Sequence, residues 1–439
     1  MDTIELKGKE NKDCKIMTTN VENEALGLIY ALLDSKAFKD VPIRIMPDTH
    51  MGKGIVIGFT APIGNMISPS HVGVDIGCEV SFYRFNKKVN TTEFALIEHR
   101  VRKEIPFGFD INDKREFDMK DFIKFMSNGF NKIRSQWSEM IDDLVDISEE
   151  GFDDMCNRIG MDIGTFYKSL GSVGGGNHYI EFGSDAEGNY TCSVHCGSRN
   201  FGTKVCKYWE NRAKMQPYDK DEYKLRVQEI KKNTKNRNDI PKLIDAMKEE
   251  LIANSAPNGY LMGDNMRGYI TDMAIAQLYA AYNHIVIMRK IEKIMQNING
   301  GKIVETIHTT HNYIDYSDHV IRKGAIRSYV GEKMVIPFNM RDGIAICEGK
   351  SNADWNNSAP HGCGRLMPRA EARNKLSLDE FKEQMNGIYS TSVDMSTIDE
   401  APNAYKPMDE IVEAIQPTCT ILEFVKPIIN LKSTTIVND

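Results

Sequence analysis

Apolar residues recur at three- and four-residue steps through residues 21–38. Ala25, Leu28, Ile29, Leu32 and Leu33 fall on one stripe, which predicts an amphipathic helix. The period then changes. Residues 41–50 (VPIRIMPDTH) read as a β-type run ending in a loop, and 54–63 (GIVIGFTAPI) as a strand rich in β-branched residues. The loop HVGVDIGCE (71–79) leads into a strand at 80–85 (VSFYRF). Residues 92–169 return to a helical period, with mixed charges that mark a solvated face. The glycine-dense GSVGGGNH (171–178) breaks it, and two short strands, YIEFG and YTCSVHCG, follow around the turn-like DAEGN (185–189). Residues 219–253 predict an exposed, charged helical arm, and 269–297 a long helix. Strands resume at 303 with IVETIHTTHNYID, VIRKGAIRSYV and KMVIP. A polar loop (349–360) precedes HGCGR (361–365), and the pattern closes with a helix, DEIVEAI, and a strand, CTILEFVKPIINLK.

No linker rich in Pro, Gly and Ser divides this succession. The unusual loops are spread from residue 47 to residue 365. A site assembled from loops along the whole chain implies one large α+β domain over 1–439, with mixed sheets around a pocket and helical insertions at about 92–169 and 210–297.

Composition narrows the function classes. The 439 residues suffice for a large core, and 41% hydrophobic with 27% charged content is ordinary for a globular protein. A formal net charge of -7 excludes a generic basic nucleic-acid coat, so any polyanion site must concentrate its positive charge locally. Nine cysteines without a C-x-x-C pair read as reduced thiols of a cytosolic protein. The charged N-terminal stretch MDTIELKGKENKDCK has no apolar core of a secretory signal, and the most apolar stretch, 274–288, contains Gln277, Asn283 and His284. The expectation is a cytoplasmic protein with no membrane partner.

Candidate chemistry centres on the histidines, of which there are only ten. His178, His195, His311 and His361 sit in loops or strand ends beside glycine, asparagine or cysteine, whereas His99, His284 and His319 have helical or unpatterned settings. Asp75 and Cys78 lie three residues apart in a glycine-rich turn. One hard oxygen, one soft sulfur and several imidazoles suit a first-row divalent ion better than Mg²⁺ or Ca²⁺, with zinc the chemical default. A shared carboxylate between two ions is the arrangement used for in-line phosphoryl chemistry. GSVGGGNH has the composition of a phosphate cradle, but no Lys-Ser/Thr follows and no G-x-G-x-x-G fingerprint is present. In HTTHN (308–312) a three-residue step on a strand sends the two histidines to opposite faces, so only one is expected to be a ligand. The glycines of HGCGR allow a phosphate to approach closely, with Arg365 placed to steady it.

Together these segments resemble the family of RtcB-type RNA ligases in order and spacing. The matching stretches are MPDTHMGKG (46–54), HVGVDIGCE (71–79), GGGNHYIE (174–181), HCGSRNFG (195–202), HNY (311–313), RKGA (322–325), HGCGR (361–365) and EAPNAYK (400–406). The resemblance implies one α+β domain around a deep metal-lined pocket. It implies two Mn²⁺ ions held by Asp75, Cys78, His178, His195 and His311, with Cys78 bridging and Asp48 beside them. It implies His361 as the residue that becomes guanylylated by GTP. Nucleotide contacts are implied for Asn177, His178, Tyr179, Ile180, Glu181, His311, Asn312, Pro337, Asn339, His361, Gly362, Cys363, Gly364 and Lys432, and an RNA phosphate contact for Arg199. The implied partners are RNA with a 3′-phosphate or 2′,3′-cyclic phosphate and RNA with a 5′-hydroxyl. No Lys-x-Asp-Gly of lysine-based ligases occurs. The chain departs from the family's P-G-S-M-G stretch, which here is PFNMRDGIA (337–345), with Ile344 where a base-contacting serine is expected; Cys363 replaces an alanine and Pro368 a serine. These departures bear on guanine selectivity more than on catalysis and point to a divergent branch, in RNA repair or tRNA splicing. The alternatives are a metal-dependent RNA-end phosphoesterase and a non-catalytic RNA-binding protein on the same fold.

Overall fold

The computed structural model describes residues 3–142, 145–214, 220–253 and 259–434. The expected helical stretches also take in residues 143–144, 215–219 and 254–258, which lie outside the described residues. The fold is α+β, with two large sheets and helices packed against them. A six-stranded sheet runs in the order Ile4–Leu6, Cys14–Ile16, Ile43–His50, Ile57–Pro62, Val320–Lys323, Asn312–Asp315. A seven-stranded sheet runs Lys333–Pro337, Ile344–Gly349, Cys419–Leu431, Tyr179–Ser184, Asn189–Cys196, Glu79–Lys88, Ile303–Thr310. A two-stranded ribbon pairs Ala325–Arg327 with Ser358–Pro360.

The seven-stranded sheet curls until its edge strands meet. The Val335 N–H donates to Thr309 Oγ1 at 2.9 Å, and the Lys333 ammonium pairs with Glu305 at 2.5 Å. Curling encloses one face and leaves the other for helices, so strand Glu79–Lys88 is apolar on both sides. Val80 and Phe82 face inward with Ile307, Val335, Ile344, Ile346 and Val425. Tyr83 and Phe85 face outward against Ile97 and Val101 and against Ile287, Ile291 and Ile294 of the long helix. That helix, Gly263–Asn299, has 37 residues and begins earlier than the periodicity predicts, because its polar first turns carry no stripe. At a 1.5 Å rise it spans about 55 Å, enough to serve both sheets. The first predicted helix is shorter than expected: it ends at Leu33, and a 3-10 turn, Lys36–Phe38, follows with Ser35 accepting from the Ala37 N–H. The arm consists of helices Lys220–Asn233 and Ile240–Ala253 with a break between them.

The two sheets exchange chain at one point that matters for the site. The run IVETIHTTHNYID is not one strand: Ile303–Thr310 belongs to the seven-stranded sheet and Asn312–Asp315 to the six-stranded one, and His311 is the hinge residue between them. The strand Ile43–His50 likewise loses register with its neighbour between Ile45 and His50, which frees the MPDTH segment from regular pairing.

Beneath this junction Arg322 is wholly buried. Its guanidinium bonds Ser358 Oγ at 2.9 Å, Asp318 Oδ2 at 2.7 Å and Asp315 Oδ2 at 3.2 Å. Replacing it with leucine takes the buried cation from Asp318 and leaves Asp315 only Arg327, at 2.9 Å, so Arg322→Leu should lower the unfolding free energy by about 3–5 kcal/mol. Urea denaturation checks this; a midpoint close to that of the parent protein would contradict it.

Candidate metal centre and adjoining cavity

Strand register assembles the centre. Val80, His195 and Tyr179 lie side by side on three neighbouring strands. Cys78 and Asp75, just before Val80, therefore sit next to His195 and next to His178, just before Tyr179. His311 is drawn in by its own N–H, which donates to the Cys78 carbonyl at 2.9 Å. Gly77 has φ +68°, and a Cβ there would lie 2.9 Å from Ala280 Cβ of the long helix, so only glycine lets the loop turn this closely onto the helix.

The result is a closed set of donors. Cys78 Sγ lies 3.2 Å from His195 Nε2 and 3.4 Å from His178 Nε2. His195 Nε2 lies 3.2 Å from His311 Nε2, and His178 Nε2 lies 2.9 Å from Asp75 Oδ2. The atoms form two groups that share Cys78: Asp75, Cys78 and His178, and Cys78, His195 and His311. Burial, helped by neighbouring imidazoles, drives His195 and His311 well below the usual histidine range, so both are neutral and offer lone pairs. Burial, reinforced by Asp75, pushes the Cys78 thiol well up. Burial opposes ionisation of Asp75 too, but the facing His178 and hydrogen bonds from His178 and Cys78 outweigh it and hold the carboxyl at about 2. Three imidazole nitrogens, one sulfur and one carboxylate converge here at short distances, and this donor set fits a first-row divalent cation. The donors present thus suit the expected metal. Only one histidine of HTTHN joins the set, as expected, but the crossover rather than alternation along one strand places it: His308, on the strand, points to Glu79 Oε1 at 2.7 Å, and His311 joins from the hinge.

His361 stands beside this set, its ring centroid 4.8 Å from that of His311. Asp48, completely buried, accepts from the His361 backbone N–H at 3.2 Å and lies 2.7 Å from Nδ1. A carboxylate can only accept, so Nδ1 carries a proton and Nε2 is the ring nitrogen that Asp48 leaves free. Lys406 holds this segment by donating to the Pro47 carbonyl at 2.9 Å.

A cavity of about 1000 Å³ opens against the centre. His195 and His361 line it, with Asn177, Tyr179, Glu181, Pro337, Asn339, Gly362, Cys363, Gly364 and Lys432. Thus the structure brings most of the nominated nucleotide contacts to one space. His178, His311, Asp75 and Cys78 lie in the donor set behind it. Ile180 and Asn312 are placed differently. Strand alternation turns the Ile180 side chain into the core with Phe182 and Val194, so only its backbone is near the cavity. Asn312 Oδ1 is spent accepting from the Gly324 N–H at 2.9 Å. Arg199 is tied to the Gly108 carbonyl at 2.6 Å and Ser172 Oγ at 3.1 Å, and Arg365 to the Asp399 carbonyl at 2.6 Å. In PFNMRDGIA, Asn339 Oδ1 accepts from the Arg341 and Asp342 N–H groups, both at 3.0 Å, closing a turn, and Ile344 points into the core inside the curled sheet.

Sequence reasoning gave Lys432 and Arg365 separate roles toward nucleotide and phosphate but missed the second buried network that they form around Glu400 on the cavity wall. Glu400 accepts from Lys432 at 2.9 Å, from Tyr405 at 2.7 Å and from Arg369, and Arg365 lies 3.3 Å away. Burial opposes its ionisation, but Lys432, Arg369 and Arg365 hold Glu400 well below the carboxylate range. The only forewarning was its place in EAPNAYK. Lys432 also donates to the carbonyls of Gly176 and Asn177, at 3.3 Å each, so this network braces the glycine-rich loop.

Fold and site define a class: an α+β protein in which a closed thiol–imidazole–carboxylate donor set adjoins a cavity of ligand size and one oriented histidine. Across residues 37–433 the chain matches the family described as tRNA-splicing ligase RtcB, and it belongs to that family. It is similar to the RNA-splicing ligase RtcB of Escherichia coli strain K12, 26% identical over 449 residues that cover 98% of this chain and 99% of that protein. It is also similar to the tRNA-splicing ligase RtcB of Archaeoglobus fulgidus, 25% identical with 84% and 83% covered, and to RNA-splicing ligase RtcB homolog 1 of Entamoeba histolytica, 25% identical with 88% and 80% covered. No described helix is long and apolar enough to cross a membrane. All nine cysteines are free and buried.

Glu181 supplies a pH signature of the cavity. Burial raises its carboxyl from 4.5 to about 8, against opposing help from Asn430 and Lys432. A raised folded-state value means stability present below about 4.5 and lost as pH climbs to about 8. Glu181→Gln, which mimics the protonated form, should therefore gain stability relative to the parent between those limits, as read by chemical denaturation across the range. A constant difference with pH would contradict this.

Proposed function

We propose that the chain is an RNA ligase that joins RNA ends carrying a 3′-phosphate or 2′,3′-cyclic phosphate to 5′-hydroxyl ends, using GTP and two Mn²⁺ ions, in RNA repair or tRNA splicing. The observation that carries this reading is the position of His361: oriented by Asp48, in contact with the donor set and facing the cavity. Membership of the ligase family supports it over nearly the whole chain.

The residues divide the work as follows. Asp48 keeps the proton on Nδ1 and the imidazole in place, so Nε2 is the nucleophile toward the α-phosphate of GTP. The N–P bond forms as the P–O bond to pyrophosphate breaks, and Asp48 offsets the positive charge that the ring acquires. A 2′,3′-cyclic end is first hydrolysed to a 3′-phosphate, water adding to phosphorus as the P–O2′ bond breaks and O2′ takes the proton; the 3′-phosphate oxygen then attacks the GMP phosphorus, and the N–P bond to His361 breaks. The neighbouring 5′-hydroxyl attacks that phosphate and GMP departs, which seals the strand. Asp75, Cys78 and His178, together with His195 and His311, would hold the ions, which would supply Lewis acidity for the phosphoryl groups. Tyr179, Glu181, Asn177, Pro337 and Asn339 line the space for the nucleoside, the Gly362–Gly364 turn lies beside His361 where phosphates approach, and Lys432 sets the loop that carries Asn177.

Incubation with α-labelled GTP and Mn²⁺, followed by peptide mapping, should place an acid-labile label on His361. His361→Ala should abolish it, and Asp48→Asn should slow its formation by about 10²-fold or more. Label on a lysine would contradict the mechanism, and opening of cyclic phosphates with no label would favour a phosphoesterase.

A further inference from the structure

The rim of the cavity carries an aromatic side chain that neither the donor set nor the nucleotide residues explain. Phe109 is 72% exposed, lines the cavity, and has no ring partner among the described residues. Two residues earlier Phe107 turns inward, packs on the core and lies under the Arg102 guanidinium. The contrast arises in a loop that is tightly held. The Val173 N–H donates to the Pro106 carbonyl at 2.9 Å, the Gly108 N–H to the Gly174 carbonyl at 3.3 Å, and Arg199 to the Gly108 carbonyl at 2.6 Å. Residues 173–174 belong to the loop that ends in His178, and Arg199 opens the helix that follows the His195 strand. Phe109 is therefore fixed to the same scaffold as the donor set while its ring stays in solvent.

The rim around it is suited to one kind of partner. Met51 and Val74, both exposed, line the same cavity, as do Lys53 and Lys207. These lysines are exposed and form no ion pair among the described residues, in a chain whose formal net charge is -7. A rigid exposed aromatic with free cations at the mouth of a cavity matches the needs of an unpaired polynucleotide end, which offers a base face for stacking and phosphates for lysine.

We propose that Phe109 is a stacking platform for a base of single-stranded RNA beside the reacting end, with Lys53 and Lys207 taking flanking phosphates. The proposal rests on the ligase reading and specifies how that site selects unpaired ends. Phe109 acts as a positioning residue and takes no part in nucleotide transfer to His361.

The test uses single-stranded oligoribonucleotides with 2-aminopurine either next to a 3′-phosphate or next to a 5′-hydroxyl. Each is titrated with the full chain, with Phe109→Ala and with Phe109→Trp. Quenching of at least one probe is expected, with affinity about tenfold weaker in Phe109→Ala and regained in Phe109→Trp. Labelling of His361 by GTP, which needs no RNA, should be the same in all three. Equal titrations in all three proteins overturn the platform, and so does a Phe109→Ala protein that loses the label as well, because Phe109 would then serve the fold or the nucleotide. If the parent protein never seals RNA but the Phe109-dependent quenching persists, the ligase reading fails and the platform stands.

Discussion

Four buried side chains, Cys78, His178, His195 and His311, meet one another and the partly exposed Asp75 at a single point. Three Nε2 atoms, the Cys78 sulfur and the Asp75 carboxylate are linked by short contacts of 2.9 to 3.4 Å, and the neutral imidazoles bring only one proton each for two ring nitrogens. Buried polar atoms without full partners are costly, as at His178 Nδ1 and His311 Nδ1, and a cation bound at the Nε2 atoms would leave each ring its proton on Nδ1. The same cation would reverse the state of Cys78, whose thiol burial otherwise keeps protonated. Everything else in the site is arranged around this requirement.

The fold meets it by using strand ends from different sheets. Register places Val80, His195 and Tyr179 abreast, so the residues just before two of those strands converge on the third. His311 enters at the crossover between sheets, tied by its N–H to Cys78. Glycine lets the pieces approach: at Gly174 a Cβ would lie 2.0 Å from His178 Nδ1. His361 comes from a third direction, on the turn after Ser358–Pro360, and Asp48 reaches it from the segment where strand Ile43–His50 leaves its pairing. Precise donor geometry thus follows from long-range pairing rather than from any local motif.

That origin explains what the sequence could disclose. Strands with β-branched alternation and the amphipathic stripe through Ala25, Ile29 and Leu33 were legible because their signal is local. The split of His308 from His311 was expected from alternation along one strand, but its cause, the crossover between sheets at His311, was not legible. The early start of the long helix was not, because its first turns are polar. The wall network of Glu400, Arg369 and Lys432 joins residues 32 apart from Glu400 to Lys432, and nothing in their spacing announces a contact. Ile180 and Ile344 were nominated, or compared with a contact position, by place in a motif, while their side chains obey the sheet and turn to the core. Phe109 escaped attention because a lone aromatic in a loop carries no pattern; only its exposure and its anchored backbone set it apart.

The most direct measurement is a crystal structure of the full chain soaked in Mn²⁺, with anomalous differences used to locate the ions. The account predicts peaks within bonding distance of Cys78 Sγ, one toward Asp75 and His178 and another toward His195 and His311, with His361 alongside and held by Asp48. A map with no anomalous peak at Cys78, or with the donors turned apart and His361 remote from them, would contradict it.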